Sequence, residues 1–246
     1  YCLLGYLLSG MLDAFTSFGT YLYWPFSNER VAWHLVSIVD PVITLLLLVA
    51  ILVGFKLGNT IAARTGLILC TFYLILNAIQ LNRVENYIRD MAEQRGHTIE
   101  RMVAKPTLGN NLVWRSTYIY QEKIYIDAIR AGLSDMKQYP GGVADLLTQA
   151  EIDKQFAADS VLYNDIKRFK YFSDDYITWH PDKTNVIGDV RYALLPDSNK
   201  PLWGIEFDTK QANSHARFVT FRTNNEQNRS RFFDMVKGLD VSPTQY

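Results

Sequence analysis

The feature that most constrains this sequence is a pair of apolar stretches close to each other in its first third. Residues 36–55 and 61–80 each contain a single charged residue, Asp40 and Arg64 respectively. At a rise of about 1.5 Å per residue, a helix of either length crosses a hydrocarbon layer of about 30 Å. Because a run such as LLLLVAILVGF leaves no polar face for water, we predict two full transmembrane helices that form a hairpin. The alternative is a pair of helices buried in a large soluble core.

The charged residues are distributed unevenly along the chain. Of 246 residues, 25 are Lys or Arg and 25 are Asp or Glu, but residues 1–80 hold only six of these charges. This division predicts a transmembrane domain over residues 1–81 and a polar domain over residues 82–246. It argues against a single soluble globule, a disordered chain or a nucleic-acid-binding protein that relies on overall basicity. Cys2 and Cys70 both lie in apolar runs, so neither a disulfide framework nor a cysteine-based zinc site is predicted.

The segments that flank the predicted hairpin indicate how the chain meets a membrane. Residues 1–12 are apolar but too short to span, so we expect a partial transmembrane helix and a sequence that lacks its N-terminal part. The loop over residues 13–35 is rich in aromatic residues, as is typical of the headgroup level of a bilayer. Basic residues near the membrane slightly favour the cytoplasm for the polar domain, because four lie on its side of the predicted hairpin and two in the hairpin loop.

The polar part has the pattern of an α+β domain with antiparallel strands. Apolar residues at helical spacing extend the last membrane helix over residues 81–94, and Gly96 ends it. IERMVAKP, NLVWRSTYIYQ and KIYIDAIRAG predict three strands of an antiparallel meander, with a turn at Gln121–Glu122 between the last two. YPGG (139–142) is expected to break the strand pattern before a helix over roughly 143–170. Residues 174–195 predict a further hairpin, and WGIEFDT and HARFVTFRT predict two more strands.

Asp13 and Asp40 are the functional candidates of the apolar third. A carboxylate in or near hydrocarbon costs several kcal/mol, so such acids often mark functional sites. Asp40 precedes Pro41, and this pair also fits the start of a helix, with Asp as the capping residue. Asp13 opens DAFTSFGT, which also fits a simple turn. Both interpretations stay open for both residues.

The segment LLSGMLDAFTSFGTYLYWPFSNERVAWHLVSIVDPVITL resembles the YdjM-like, LexA-binding family of bacterial inner-membrane metal-dependent hydrolases. The resemblance continues at KPTLGNNLVWR (105–115), RFKYFSDDY (168–176) and GDVRYAL (188–194). It implies a multi-pass protein of the bacterial inner membrane in which Asp13 is a metal ligand and Asp40 a second ligand or a catalytic general base. The metal would be zinc, or manganese or magnesium, and metal-bound water would cleave an ester or phosphoester near the membrane surface. Ser9 stands where the family has a histidine one helical turn before Asp13, and a hydroxyl is a poorer zinc ligand than imidazole.

Three residues of the polar part are candidates for substrate binding. Trp114, Arg115 and Arg191 match the family's pattern, and arginine can hold a phosphate or carboxylate in bidentate fashion, as in a lipid headgroup. The alternative is a structural ion pair between an arginine and a neighbouring acid. The function alternative to a hydrolase is a non-catalytic, membrane-anchored binding or regulatory protein, which Ser9 favours.

Overall fold

The computed structural model of the chain describes residues 2–222 and 226–242. The chain divides into two compact units. The first contains residues 1–88, 104–114 and 131–136, and the second contains residues 89–103, 115–130 and 137–246. The chain therefore passes from one unit to the other several times. The division into a transmembrane domain and a polar domain at residue 81 stays a prediction.

Three helices dominate the first unit: α1 (Cys2–Phe15), α2 (Pro41–Leu57) and α3 (Ile61–Gln94), of which residues 89–94 belong to the second unit. Helix α2 begins at Pro41 because Asp40 caps it, and it ends at Gly58, which adopts the left-handed conformation with φ of 62°. Of the residues that the structure describes, α3 forms the one helix that is both long and apolar enough to cross a membrane. Helix α2 is a shorter apolar helix of 17 residues. A membrane-spanning α3 is therefore supported, and a second full span in α2 stays a prediction.

Helices α2 and α3 pack closely, with small residues at their contact. A Cβ atom placed on Gly66 would overlap that of Ala50, which is itself buried. Close approach of helix backbones through small residues is typical of helix pairs in membranes. Large apolar side chains elsewhere on α2 and α3 are exposed, for example Phe55 at 90% and Ile68 at 68%. An apolar surface of this kind needs lipid or protein to cover it.

The segment between α1 and α2 is pinned by backbone hydrogen bonds. Thr20 and Val31 exchange a pair of backbone bonds of 3.0 and 2.8 Å, and Ser17 donates to the carbonyl of Val36 (3.0 Å). The aromatic side chains between these contacts point outward, and Phe26 is 95% exposed and Trp24 70%. The position of this aromatic loop at a membrane interface stays a prediction.

Two four-stranded sheets follow α3 in the chain. The first has the order β1 (Arg101–Pro106), β2 (Val113–Tyr120), β3 (Lys123–Ala131), β4 (Met136–Asp145). The second has the order β5 (Ile177–Trp179), β6 (Val186–Asp189), β7 (Trp203–Glu206), β8 (Arg217–Thr220), and its pairings are all antiparallel. Helices α4 (Gln149–Gln155), α5 (Val161–Phe172) and α6 (Glu226–Lys237) complete the fold. The core of the second unit packs α4 and α5 against the second sheet through Leu147, Ile152, Phe156, Leu162, Ile166, Phe169, Ile177, Ile187, Ile205 and Phe207.

The α+β architecture with antiparallel strands is confirmed, and two details of the sequence prediction are wrong. YPGG does not end a strand but lies inside β4, and the predicted helix over 143–170 is two helices, α4 and α5. Thr148 caps α4 and Ser160 caps α5, each through its hydroxyl oxygen, and these two caps set where the helices begin. Helix α6 was missed.

Candidate functional site

Asp40 lies at the N-terminus of α2 and is 7% exposed. Its Oδ1 accepts hydrogen bonds from the backbone N–H groups of Val42 (2.9 Å) and Ile43 (3.0 Å). Its Oδ2 accepts a hydrogen bond of 3.0 Å from the hydroxyl of Tyr73, which lies on α3. Both oxygens of this buried carboxylate therefore have donors from the protein itself. The capping role that the sequence left open is present in the structure.

Further polar contacts in the first unit tie β1 and the loop between β1 and β2 to α3 and to the segment between α1 and α2. The Asn111 side chain donates to Oδ1 of Asn77, which is fully buried on α3. The backbone N–H of Gly109 donates to the hydroxyl of Ser37 (3.1 Å), just before α2. Nζ of the buried Lys105 donates to the carbonyl oxygen of Ser17 (3.3 Å). Hydrogen bonds of this kind satisfy polar groups that would be costly to bury alone.

Asp13 has a different environment from Asp40. It lies in the last turn of α1 and is exposed, and its main-chain carbonyl accepts hydrogen bonds from the backbone (3.0 Å) and hydroxyl (2.7 Å) of Thr16. The Ser9 hydroxyl, one turn earlier, donates to the carbonyl of Tyr6 (2.8 Å). Across residues 2–222 and 226–242, no group of three or more His, Cys, Asp or Glu side chains is placed to hold a metal ion. The metal roles of Asp13 and Asp40 therefore stay predictions.

Arg115 is 4% exposed and lies in the second unit. Nε and Nη2 donate to the carbonyl of Val190 (3.1 and 2.6 Å), Nη1 donates to Leu195 (3.3 Å) and Pro196 (2.8 Å), and Nη2 also donates to Ser198 (2.8 Å). These five hydrogen bonds equal the five N–H donors of a guanidinium group. An anion would therefore have to displace carbonyl oxygens in order to bind Arg115.

Arg191 makes the structural ion pair that the sequence left as the alternative to substrate binding. Its Nε and Nη2 donate to the two carboxylate oxygens of Asp189 (3.0 and 2.8 Å), and Nη2 also donates to the carbonyl of Phe172 (2.9 Å). Burial lowers the pKa of Arg191, but the adjacent Asp189 carboxylate outweighs it and leaves the pKa raised. Trp114, the third candidate, is fully buried in the first unit and donates from Nε1 to the carbonyl of Asn111 (2.8 Å). A substrate role for these three residues stays a prediction.

A polar cluster in the second unit was missed from the sequence. Arg95 forms a bidentate pair with Asp127 (2.8 Å for both bonds), and its Nη1 also donates to the Tyr118 hydroxyl (3.1 Å). Burial lowers the pKa of Arg95, but the hydrogen bonds and charge of Asp127 outweigh burial, so the pKa lies above its usual range. His97 Nδ1 lies 2.9 Å from the same hydroxyl, and its ring stacks on Tyr120. Since 32 residues separate Arg95 from Asp127, no local motif connects them in the sequence.

The fold and its site define a class: a membrane-associated protein in which apolar helices precede an antiparallel β-rich part. Residues 1–84 match the family described as YdjM inner membrane protein. The matched segment contains α1, α2, most of α3 and both candidate acids, Asp13 and Asp40. The N-terminal third of the chain therefore carries the sequence of this family. No curated protein and no solved structure matches the chain.

Proposed function

We propose that the chain is a membrane-anchored binding or regulatory protein, held by α3 and its neighbouring helices, whose β-rich part meets its partner at the membrane surface. The observation that favours this proposal over a metal-dependent hydrolase is the hydrogen bonding of Asp40. Its two carboxylate oxygens receive three hydrogen bonds from Val42, Ile43 and Tyr73, so the buried acid has a complete structural role. The family match over residues 1–84 and the apolar helix α3 support the membrane location.

A pair of variants at Asp40 tests this proposal. Asp40→Asn keeps a side-chain oxygen for the backbone N–H groups of α2, whereas Asp40→Ala removes the cap and costs about 1 kcal/mol. If Asp40 is structural, the Asn variant unfolds in detergent like the unmodified protein, and only the Ala variant is destabilised. Zinc and manganese in the purified protein, measured by elemental analysis, should then be far below one ion per chain. Stoichiometric metal that both variants lose equally would refute the proposal.

A metal-dependent hydrolase is the second candidate, and the position of Asp13 favours it. Asp13 is exposed at the end of α1, and the side chain of Ser9 lies one turn earlier on the same helix face. The sequence around Asp13 is also where the resemblance to the hydrolase family is strongest. In this proposal Asp13 would hold a divalent ion, with Asp40 as a second ligand or general base, and the ion would supply an activated water for hydrolysis of an ester or phosphoester, for example in a lipid headgroup.

Replacing Ser9 tests the hydrolase proposal directly. Ser9→His introduces an imidazole nitrogen at i, i+4 from Asp13, where both side chains can reach one ion. If a weak metal site exists, zinc affinity should rise by at least roughly 10-fold. Mutating residues that only hydrogen-bond to metal ligands already changes metal affinity by roughly 10-fold or more, and a new ligand should have at least that effect. Adding Asp13→Ala to Ser9→His should abolish the gain. Unchanged zinc affinity in Ser9→His, measured by calorimetric titration, would contradict the proposal.

A further inference from the structure

The tip of the hairpin between β3 and β4 presents an apolar side chain that is exposed among the residues that the structure describes. The tip is Gly132–Asp135, closed by a hydrogen bond of 2.9 Å from the Gly132 N–H to the carbonyl of Asp135. Leu133 at this tip is 100% exposed. In the neighbouring loop between β1 and β2, Leu108 is 69% exposed and Leu112 37%. Both loops belong to the first unit, together with the three apolar helices.

Hydrogen bonds fix the β3–β4 tip against a defined position of α3. The Gln80 side chain donates to the carbonyl of Ala131 (2.6 Å), and Nη1 of Arg83 donates to the carbonyl of Gly132 (3.0 Å). The β1–β2 loop is held one to two turns earlier, by the contact between Asn111 and Asn77. The tip therefore lies beside residues 80–83 of α3.

This position corresponds to the end of the apolar part of α3. Residues 65–82 contain no charged residue, and Arg83 is the first after Arg64. Eighteen helical residues span about 27 Å, close to the thickness of a hydrocarbon core. The residues that hold the tip, Gln80 and Arg83, thus lie where the helix leaves the hydrocarbon. A fully exposed leucine at this level meets the boundary between headgroups and acyl chains.

We propose that the β3–β4 tip is a membrane contact, in which Leu133 inserts among the lipids beside the point where α3 emerges. The occupant of this surface is the bilayer and not a second protein, because Gln80 and Arg83 hold the tip at the level where the uncharged, apolar part of α3 ends. Burial of a leucine side chain stabilises such a contact, while Arg83 stays at the polar level, where its guanidinium also reaches lipid phosphates. The inference goes beyond the proposed function and depends only on α3 crossing the membrane.

The inference is tested on the full chain in vesicles of phosphatidylethanolamine and phosphatidylglycerol. Cys2 and Cys70 are replaced by Ser and Ala, and a single cysteine is placed by Leu133→Cys or, as the control, by Glu122→Cys. Glu122 is exposed in the turn at the other end of β3. Each cysteine carries an environment-sensitive NBD dye, and quenching is measured with lipids that bear a nitroxide high on the acyl chain.

The expected result is a blue-shifted emission and strong nitroxide quenching for the dye at position 133, with neither effect at position 122. Because Leu133 is fully exposed, its replacement by a labelled cysteine should leave the melting temperature unchanged. Emission at 133 that is as red-shifted and unquenched as at 122 would overturn the inference. A blue shift without nitroxide quenching would also overturn it, since it would show that protein, such as a second copy of the chain, covers the tip.

Discussion

Replacing Arg115 with methionine should destabilise the protein more than any surface change. The substitution removes five hydrogen bonds and leaves the carbonyls of Val190, Leu195, Pro196 and Ser198 without this donor. A buried polar group without its partner costs about 1–3 kcal/mol, and breaking a buried charged contact as a whole costs about 3–5 kcal/mol. We expect a loss near 4 kcal/mol, which lowers the melting temperature of a protein of this size by roughly 10 °C.

The assay is thermal unfolding of the full chain in detergent micelles, followed by circular dichroism. Arg115→Lys should be intermediate, because an ammonium group has three donors on one nitrogen and cannot reach all four carbonyls. Arg168→Met is the matched control, since the Arg168 side chain is 83% exposed and should change stability by less than about 0.5 kcal/mol. If Arg115→Met melts like Arg168→Met, the carbonyl contacts do not stabilise the fold. If excess phosphate stabilises the unmodified protein but not Arg115→Met, then Arg115 binds anions after all.

Three further predictions concern helix packing, pH and topology. Gly66→Ala should destabilise the α2–α3 pair by about 1–3 kcal/mol in detergent unfolding, because its methyl group overlaps the facing helix, whereas Gly54→Ala has room and should be neutral. Burial lowers the pKa of His180, so the unfolded state binds a proton first, and stability should fall as the pH drops below about 6.5. His180→Phe should remove that part of the pH dependence in melts between neutral and acidic pH. If α2 and α3 form a membrane hairpin, cysteines at Ser27 and Asn59 should react with an impermeant reagent from opposite sides of the membrane, and labelling from one side would refute the hairpin.

The elements that the sequence predicted well are those fixed by local chemistry. The apolar runs correctly predicted α2 and α3, because an uninterrupted apolar run of 17 or more residues is typical of a helix and too long for a strand. The turn at Gln121–Glu122 was also predictable, since it separates two alternating strands, and both residues indeed have positive φ values of 50° and 58°. In such segments the sequence neighbours and the structural neighbours are the same residues.

The elements that were missed depend on contacts between distant parts of the chain. Pro140 and Gly141 predict a strand break, but both lie inside β4, where the carbonyl of Asp197 approaches position 141 so closely that only a residue without a Cβ atom fits. Helix α6 is mostly polar, and its one fully buried side chain is Met235, whose carbonyl accepts a hydrogen bond from Tyr139. Neither contact has a local pattern, so the composition of each segment alone predicts a loop.

The two acids show how far a rule about charges in membranes can be applied. According to this rule, burying the charge of Asp40 costs free energy, and the residue is therefore a functional candidate. The cost of burial falls, however, when hydrogen-bond donors surround the carboxylate. Two of those donors are backbone N–H groups at the start of α2, which the Asp-Pro sequence predicts, and the third is Tyr73, which lies 33 residues away and which the sequence does not predict. Once these bonds are known, Asp40 no longer needs a catalytic explanation. Asp13 is exposed at the end of an apolar helix, and its metal role stays a prediction. The test that separates the two proposed functions is therefore at Asp13 and Ser9. A gain of zinc affinity in Ser9→His favours the hydrolase, and unchanged affinity favours the membrane-anchored binding protein.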